Sequence, residues 1–226
     1  MVEGDRRRRR GVATDHPEAV MFARATTIHA HPSFLDEGIT HVRSVVMPTL
    51  ADQDGCAGMS MLVDRDAGRC IITSSWLDED TLRGSEDSAQ QLCDRAREIF
   101  HATAEITRWE IAAARRDHRS RRHAGVRVTW LRTDPARCER MIDTYKLALM
   151  PEMADLDGFC STTLLVDRPS GRAVSSISFD DRAAMVASRS GEQAIWAKAV
   201  NDAGAEVLEV AEFDLAIAHL NVPEMV

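Results

Sequence analysis

The chain has 226 residues, 44% of them hydrophobic and 28% charged, which is long enough for one large domain or two small ones with a buried core. Its formal net charge of −8 argues against a dedicated binder of nucleic acid or anionic membranes, and no apolar run is long enough to span a bilayer. Five cysteines without a C-x-x-C motif predict neither a disulfide framework nor a zinc finger, and a reducing cytoplasm is the expected location.

The N-terminus differs from the rest of the chain. Arg6 to Arg10 form a continuous basic run, and no apolar stretch follows that would complete a signal peptide. Like charges repel and bury nothing, so residues 1–20 are predicted to form a disordered basic tail. An electrostatic tether to nucleic acid or lipid is the alternative. Met21, just before the first strand pattern, is a second candidate start besides Met1.

The next stretch predicts one α/β unit. Residues 21–29 alternate as in a strand, and Pro32-Ser33 then begins a helix whose apolar positions recur at helical spacing through Leu50. Pro48 removes a backbone donor, so the last turn of that helix should kink or end. Two strands (57–64 and 69–76), a helix (79–99, with Asp78 as N-cap) and a closing strand (104–113) are expected to follow.

The second half of the chain repeats the first at an offset of 103 residues. The longest block, Leu62-Val63-Asp64-Arg65, returns as Leu165-Val166-Asp167-Arg168. The repeat predicts strands near 125–132, 159–167, 171–179 and 206–217, and helices near 135–154 and 181–203. We therefore divide the chain into repeat 1 (21–114), a solvated linker (115–123) and repeat 2 (124–226).

Each repeat has the order βαββαβ, which is that of a ferredoxin-like fold. One such unit packs two helices on one sheet face and leaves its other face partly apolar. Two tandem units can bury these faces against each other. The predicted class is α+β, with two tandem ferredoxin-like repeats forming an intramolecular pseudo-dimer, a dimeric α/β barrel.

Four motifs of repeat 1 carry a family resemblance, and each has a counterpart in repeat 2. They are Met47-Pro48-Thr49-Leu50, Asp54-Gly55-Cys56, Leu62-Val63-Asp64-Arg65 and Ser75-Trp76-Leu77-Asp78. With these motifs the chain resembles the antibiotic biosynthesis monooxygenase-like (ABM) dimeric α/β-barrel family, and in particular its tandem actinobacterial members. The resemblance spans about 21–217 and implies the barrel fold more specifically than it implies a reaction.

The family includes cofactor-independent monooxygenases of quinone-like aromatics and haem-degrading enzymes. The haem-degrading relatives use an Asn on the first strand and a Trp and His on the second helix. Neither first strand here contains Asn, and neither second helix offers the Trp–His pair. Haem chemistry is therefore not expected, and no cofactor is predicted.

A difference in bulk between the repeats suggests a pocket in repeat 1. Val126, Val128 and Trp130 on one strand face of repeat 2 correspond to the smaller Ala23, Ala25 and Thr27. Packed interiors rarely leave such volume empty. Either neighbours such as Met59 and Met61 fill the space, or a ligand does.

The candidate site combines this pocket with nearby histidines. A neutral imidazole can remove a proton from a phenol near pH 7, so His41 is the candidate catalytic base, although a structural or solvent-exposed role is the alternative. No metal site is predicted. The candidate ligand-binding residues are Thr27, His29, Met59, Met61, Thr73 and Trp76.

Two main functions remain open at this point, beside a third and weaker option, haem or flavin binding without turnover. The first is binding of a hydrophobic or aromatic small molecule in repeat 1, where the resemblance implies oxidation without a cofactor. The alternative is a non-catalytic, stress-related binding or scaffold protein in which repeat 2 only completes the barrel. The expected state is a monomeric pseudo-dimer or a homodimer, without nucleic-acid or membrane partners.

Overall fold

The computed structural model describes residues 20–121 and 123–220, with backbone alone at 198, 199, 201–203 and 220. The basic tail predicted for 1–20 thus lies outside the described residues, except for Val20. The predicted elements of repeat 1 are all present. They are β1 (Met21–His29), α1 (Leu35–His41), α2 (Met47–Ala51), β2 (Cys56–Asp64), β3 (Arg69–Trp76), α3 (Glu79–Gly84), α4 (Glu86–Phe100) and β4 (Thr103–Arg116).

Repeat 2 has the same elements in the same order. They are β5 (Gly125–Arg132), α5 (Cys138–Thr144), α6 (Met150–Ala154), β6 (Phe159–Asp167), β7 (Arg172–Phe179), α7 (Arg182–Ala187), α8 (Arg189–Ala203) and β8 (Glu206–Leu220). Each second helix, predicted as continuous, is divided at a serine, Ser85 or Ser188. β4 extends to Arg116, two residues into the stretch interpreted as the linker. Within the described residues, no helix combines the length and apolarity needed to cross a bilayer.

The eight strands close into one barrel in the order β1-β3-β2-β8-β5-β7-β6-β4, and every neighbouring pair is antiparallel. The last strand of each repeat joins the two halves. The first part of β4 pairs with β1, and its second part pairs with β6 of the other repeat. β8 bridges β5 and β2 in the same way. The predicted intramolecular pseudo-dimer is therefore confirmed.

Three apolar cores follow from this topology. One core lies between sheet and helices in each repeat, and the third fills part of the barrel interior. Because strand residues alternate between faces, neighbouring residues of one strand belong to different cores. Most of the interior core consists of Met21, Ala23, Ala25, Leu62, Ile71, Trp109, Ile111, Val126, Val128, Leu165, Val174 and Phe213.

A widened turn precedes the proline in the first helical stretch of each repeat, Pro48 in repeat 1 and Pro151 in repeat 2. These π-helical turns are Val42–Val46 and Tyr145–Leu149. In the first, the amide of Met47 donates to the carbonyl of Val42, five residues earlier, and in the second the amide of Met150 donates to Tyr145 in the same way. The wider turn relieves the clash that a proline ring makes with the preceding turn. The helical path therefore continues to Ala51 and Ala154 instead of ending at the prolines.

A buried arginine ties the first strand of each repeat to its helices. The Arg24 guanidinium donates to the Ser85 hydroxyl (2.8 Å) and to the Leu82 carbonyl (2.7 Å) at the break between α3 and α4. It also lies 5.5 Å from the ring centre of Trp76. Arg127 makes the equivalent contacts in repeat 2, with Ser188, Met185 and Phe179.

Candidate functional site

The barrel interior contains a cavity of about 340 Å³ lined by both repeats. It occupies the end of the barrel where β1 and β5 begin and where β4 and β8 finish. Small side chains create the space, since Ala23, Ala114 and Ala218 line it on three different strands. Its apolar walls are completed by Leu62, Ile111, Val126, Leu165 and Leu215.

Hydroxyl groups form a second part of the lining. They come from strands of both repeats, namely from Ser60, Thr73, Ser75, Ser161, Thr163, Ser176 and Ser178. Ser60 and Thr73 are direct neighbours across β2 and β3. The hydroxyls of Ser161 and Ser178 are 2.6 Å apart in repeat 2. Such groups both donate and accept hydrogen bonds, so the cavity can bind polar substituents of either type.

The mouth of the cavity is basic. Arg115 and Arg116 belong to the end of β4, and Arg119 follows in the linker to β5. Arg115 pairs with Asp117 at 3.1 Å, whereas Arg116 and Arg119 have no ion-pair partner within the described residues. The described lining contains no Asp or Glu. His219, the repeat 2 counterpart of Arg115, is exposed at the same mouth.

The sheet separates the predicted ligand-binding residues into two groups. Met59, Met61 and Trp76 lie in the core beneath the helices of repeat 1. Thr73 lines the barrel cavity, and Thr27 lies on the interior face of β1 toward the opposite barrel end. The methionines were expected to lie beside Ala23 and Ala25. A one-residue change of position along β2 puts a side chain on the other face, and Ser60 and Leu62 are the interior residues there.

The predicted histidines do not face the cavity. His29 is exposed at the end of β1. His41 lies on α1, on the helix-covered side of the sheet, in a shallow surface depression near Thr40 and Ile99. Its Nε2 is buried without a hydrogen-bond partner within the described residues. Burial, and secondarily the charge of Arg95, lowers the pKa of His41, so its imidazole is neutral at pH 7.

Most of the cavity lining was not predicted from the sequence. The hydroxyls of β2, β3, β6 and β7 come from four segments, and only strand pairing brings them together. The arginines were assigned to a solvated linker. One signal did point to the interior, because Ala23 is the small counterpart of Val126, and both residues line the cavity.

The chain can be compared with known proteins on this basis. Residues 21–93 match the family model described as antibiotic biosynthesis monooxygenase. Two uncharacterized proteins of Mycobacterium tuberculosis, Rv2557 and Rv2558, are each 47% identical to the chain. The alignments cover 92% of this chain in both cases, and 92% and 89% of those proteins respectively.

Solved structures show the same fold at low identity. An anthrone oxidase-like protein superposes with a TM-score of 0.62 at 13% identity, covering 92% of this chain and 96% of that one. A Listeria monocytogenes ferredoxin-fold protein related to antibiotic biosynthesis monooxygenases gives 0.52 at 9% identity, covering 88% and 95%. The closed barrel agrees with the family match of the first repeat, and the chain belongs to the antibiotic biosynthesis monooxygenase-like family of dimeric α/β barrels.

Proposed function

We propose that this protein binds a small molecule in the barrel cavity, and that the ligand has an apolar body and an anionic group. The cavity between the repeats carries the proposal. At about 340 Å³ it lies within the range of small-molecule sites, and it combines apolar walls with convergent hydroxyls. The body of the ligand would contact Leu62, Val126 and Leu165 in the interior.

Charge supports the anionic part of this proposal. Arg116 and Arg119 lack acidic partners within the described residues, while the chain as a whole is strongly acidic. A guanidinium binds a carboxylate, sulfonate or phosphate through parallel hydrogen bonds. The described lining also holds no carboxylate that would repel an anion. Such a ligand would therefore bind with its anionic group at the mouth.

Two fluorescent dyes with the same aromatic rings test the proposal. One is anionic (8-anilinonaphthalene-1-sulfonate) and the other is neutral (N-phenyl-1-naphthylamine). We expect one molecule of either dye to bind per chain, with about tenfold higher affinity for the anion, equivalent to about 1.4 kcal/mol. Dissociation constants from fluorescence titration give the comparison.

Variants assign the binding to the cavity. Thr163→Trp fills the interior and should abolish binding of both dyes, whereas Thr103→Trp, at an exposed strand end, should not. Replacing Arg116 and Arg119 together by Gln should remove the preference for the anionic dye but leave binding of the neutral dye unchanged. Arg132→Gln, at an exposed strand end, is the control and should leave the preference for the anionic dye unchanged. Unchanged dye binding in folded Thr163→Trp would refute the cavity site. Equal affinity of the original protein for both dyes would refute the anionic ligand.

His219 favours a second candidate, a cofactor-independent oxygenase. It carries the one imidazole of the described lining, and histidine is the side chain that enzymes use most often to transfer a proton. One structural neighbour is called anthrone oxidase-like, so anthrone is a suitable probe substrate. Oxygen uptake with anthrone that is lost in His219→Ala but kept in His41→Ala would support this candidate. No uptake above that of buffer would exclude it for this compound.

A further inference from the structure

Three potential metal ligands meet beside the mouth of the barrel. They are His118 in the linker after β4, Cys160 on β6 and Asp180 directly after β7, and their ligand atoms all lie within 4.8 Å of one another. His118 Nε2 is 3.0 Å from Asp180 Oδ1, and Cys160 Sγ is 3.8 Å from the same oxygen. No other group of this kind occurs in the part of the chain that the structure describes.

The backbone holds these three residues in place. The amides of Asp117 and His118 both donate to the carbonyl of Cys160, at 2.9 and 3.4 Å, which fixes the linker against β6. The amide of Asp180 donates to the carbonyl of Gly158 at 2.8 Å. The ligand atoms therefore approach one another from three segments that are already docked, so little chain ordering would be needed on metal binding.

We propose that His118, Cys160 and Asp180 bind one Zn²⁺ ion. An imidazole nitrogen, a thiolate and a carboxylate are typical zinc ligands, with bonds of roughly 2.0 to 2.3 Å in tetrahedral geometry. That geometry separates neighbouring ligand atoms by about 3.3 to 3.8 Å, so the present separations need only small side-chain movements. Three protein ligands leave a fourth position for solvent or a bound molecule. This site stands independently of the proposed function of the cavity.

The neighbouring residues define what must change on binding. Arg121 Nε is 3.5 Å from Asp180 Oδ1, but the Arg121 side chain is 75% exposed and can turn toward solvent. The Cys160 thiol must lose its proton, and burial together with Asp180 raises the pKa of this thiol to about 11. A coordinating metal ion provides the charge that stabilises the thiolate.

The site is specific to repeat 2. At the offset of 103 residues, Cys160 corresponds to Ala57 and Asp180 to Leu77 in repeat 1. One metal ion per chain is therefore expected. No metal site was predicted from the sequence, because the three residues are far apart in the chain and have no recognisable zinc-ligand spacing.

Cobalt is a suitable probe, because Co²⁺ takes the place of Zn²⁺ and reports its ligands by absorbance. The full chain, freed of metal by a chelator and kept reduced, is titrated with Co²⁺. We expect one equivalent to produce a near-ultraviolet sulfur-to-cobalt band and the visible bands of tetrahedral cobalt. Zn²⁺ should then remove both by displacing the cobalt.

Three variants identify the ligands. Cys160→Ser should remove the sulfur-to-cobalt band. His118→Ala, a change at an exposed residue, should weaken Co²⁺ binding by more than about 100-fold. Loss of a residue that only hydrogen-bonds to a metal ligand already weakens metal binding 10- to 100-fold. Cys56→Ser, at the more accessible thiol, should leave both bands unchanged. No cobalt bands in the original protein, or bands that persist in both Cys160→Ser and His118→Ala, would overturn the proposal.

Discussion

The guanidinium of Arg69 lies 4.3 Å from the ring centre of Trp130, and this contact joins the two repeats at the barrel end opposite the mouth. Arg69 also pairs with Glu209 on β8. Phe213, with its ring 5.7 Å from the same guanidinium, completes the closure. Bulky side chains thus fill the interior at this end, whereas the cavity lies at the other end.

This closure leads to a prediction for unfolding. Trp130→Ala should lower the free energy of unfolding by about 3 kcal/mol, because it removes a large half-buried ring and its cation–π contact. Arg69→Met should lower it by about 1 to 2 kcal/mol. Urea denaturation measures both effects. Arg172→Met, at the exposed position equivalent to Arg69, should change the free energy of unfolding by less than about 0.5 kcal/mol. An equal effect at positions 69 and 172 would contradict this account.

The two buried arginines should differ in their contribution to stability. Arg127 pairs with Glu192, whose side chain is only 2% exposed, whereas Arg24 has no acidic partner within the described residues. Arg127→Met should therefore lower the free energy of unfolding by about 3 to 5 kcal/mol, because it leaves a buried carboxylate without a counter-charge. Arg24→Met should lower it by about 2 kcal/mol through lost hydrogen bonds.

A double substitution isolates that charge effect. Glu192→Gln in the Arg127→Met background should restore at least about 1 kcal/mol, since it removes the unpaired charge. The same Glu192→Gln change alone should destabilise the protein. Denaturant midpoints of the single and double variants supply the comparison. A double variant that is less stable than Arg127→Met would show that the charge is not the cause.

Acid should weaken repeat 2 through Glu212. Hydrogen bonds from Arg189 and Arg127 lower the pKa of Glu212 from 4.5 to about 2. A carboxyl group with a lowered pKa stabilises the fold above its ordinary pKa, and this contribution disappears as the pH falls toward 2. Glu212→Gln should therefore destabilise by about 2 kcal/mol at pH 7, with the difference from the original protein shrinking between pH 5 and pH 2.

The matched control lies in repeat 1, where the equivalent pair has reversed charges. Glu86 pairs there with Arg108, and both side chains are 53% exposed. Exposed ion pairs contribute little, so Glu86→Gln should change stability by less than about 0.5 kcal/mol at any of these pH values. Thermal unfolding across the pH series measures both variants. A loss of stability in Glu212→Gln that does not change with pH would disprove that the lowered pKa of Glu212 stabilises the fold.

Two helical glycines of repeat 1 differ in the space available for a side chain. A Cβ atom at Gly38 in α1 would overlap the fully buried ring of Phe100, whereas one at Gly84 would have no neighbour within 4 Å. Gly38→Ala should lower the free energy of unfolding by about 2 kcal/mol or more through overpacking. Gly84→Ala should raise it by about 0.5 kcal/mol. Calorimetric melting of both variants tests the pair, and a stabilised Gly38→Ala would be inconsistent with this packing.

The fold could be predicted from local patterns and the internal repeat. Asp78, predicted as an N-cap, and Asp181, which follows it at the repeat offset of 103 residues, both cap helices, with their carboxylates accepting from the amides of Thr81 and Ala184. The two strands predicted at 57–64 and 69–76 also form a hairpin, in which Cys70 lies opposite Val63. Hydrogen bonds of this kind join residues close in sequence, so periodicity and turn residues are sufficient to predict them.

The site could be predicted only in part. Both faces of these strands are buried, one beneath helices and one inside the barrel, so hydrophobic alternation does not show which face a residue such as Met59 or Ser60 occupies. The cavity was expected in repeat 1, yet it is lined by both repeats. The groups at its mouth depend on β4 crossing to β6, a pairing between distant segments.

The amino-acid sequence by itself determined the two repeats, their strands and helices, and their association into one barrel. Those properties follow from periodicity, helix caps and the need of each sheet to cover its apolar face. Only the tertiary structure decided which side chains face the interior, and it alone brought Arg116 and Arg119 to the mouth and His118, Cys160 and Asp180 together. The physical reason is that these groups come from segments far apart in the chain, and their distances are set by strand pairing and by the hydrogen bonds that dock the linker and the residue after β7.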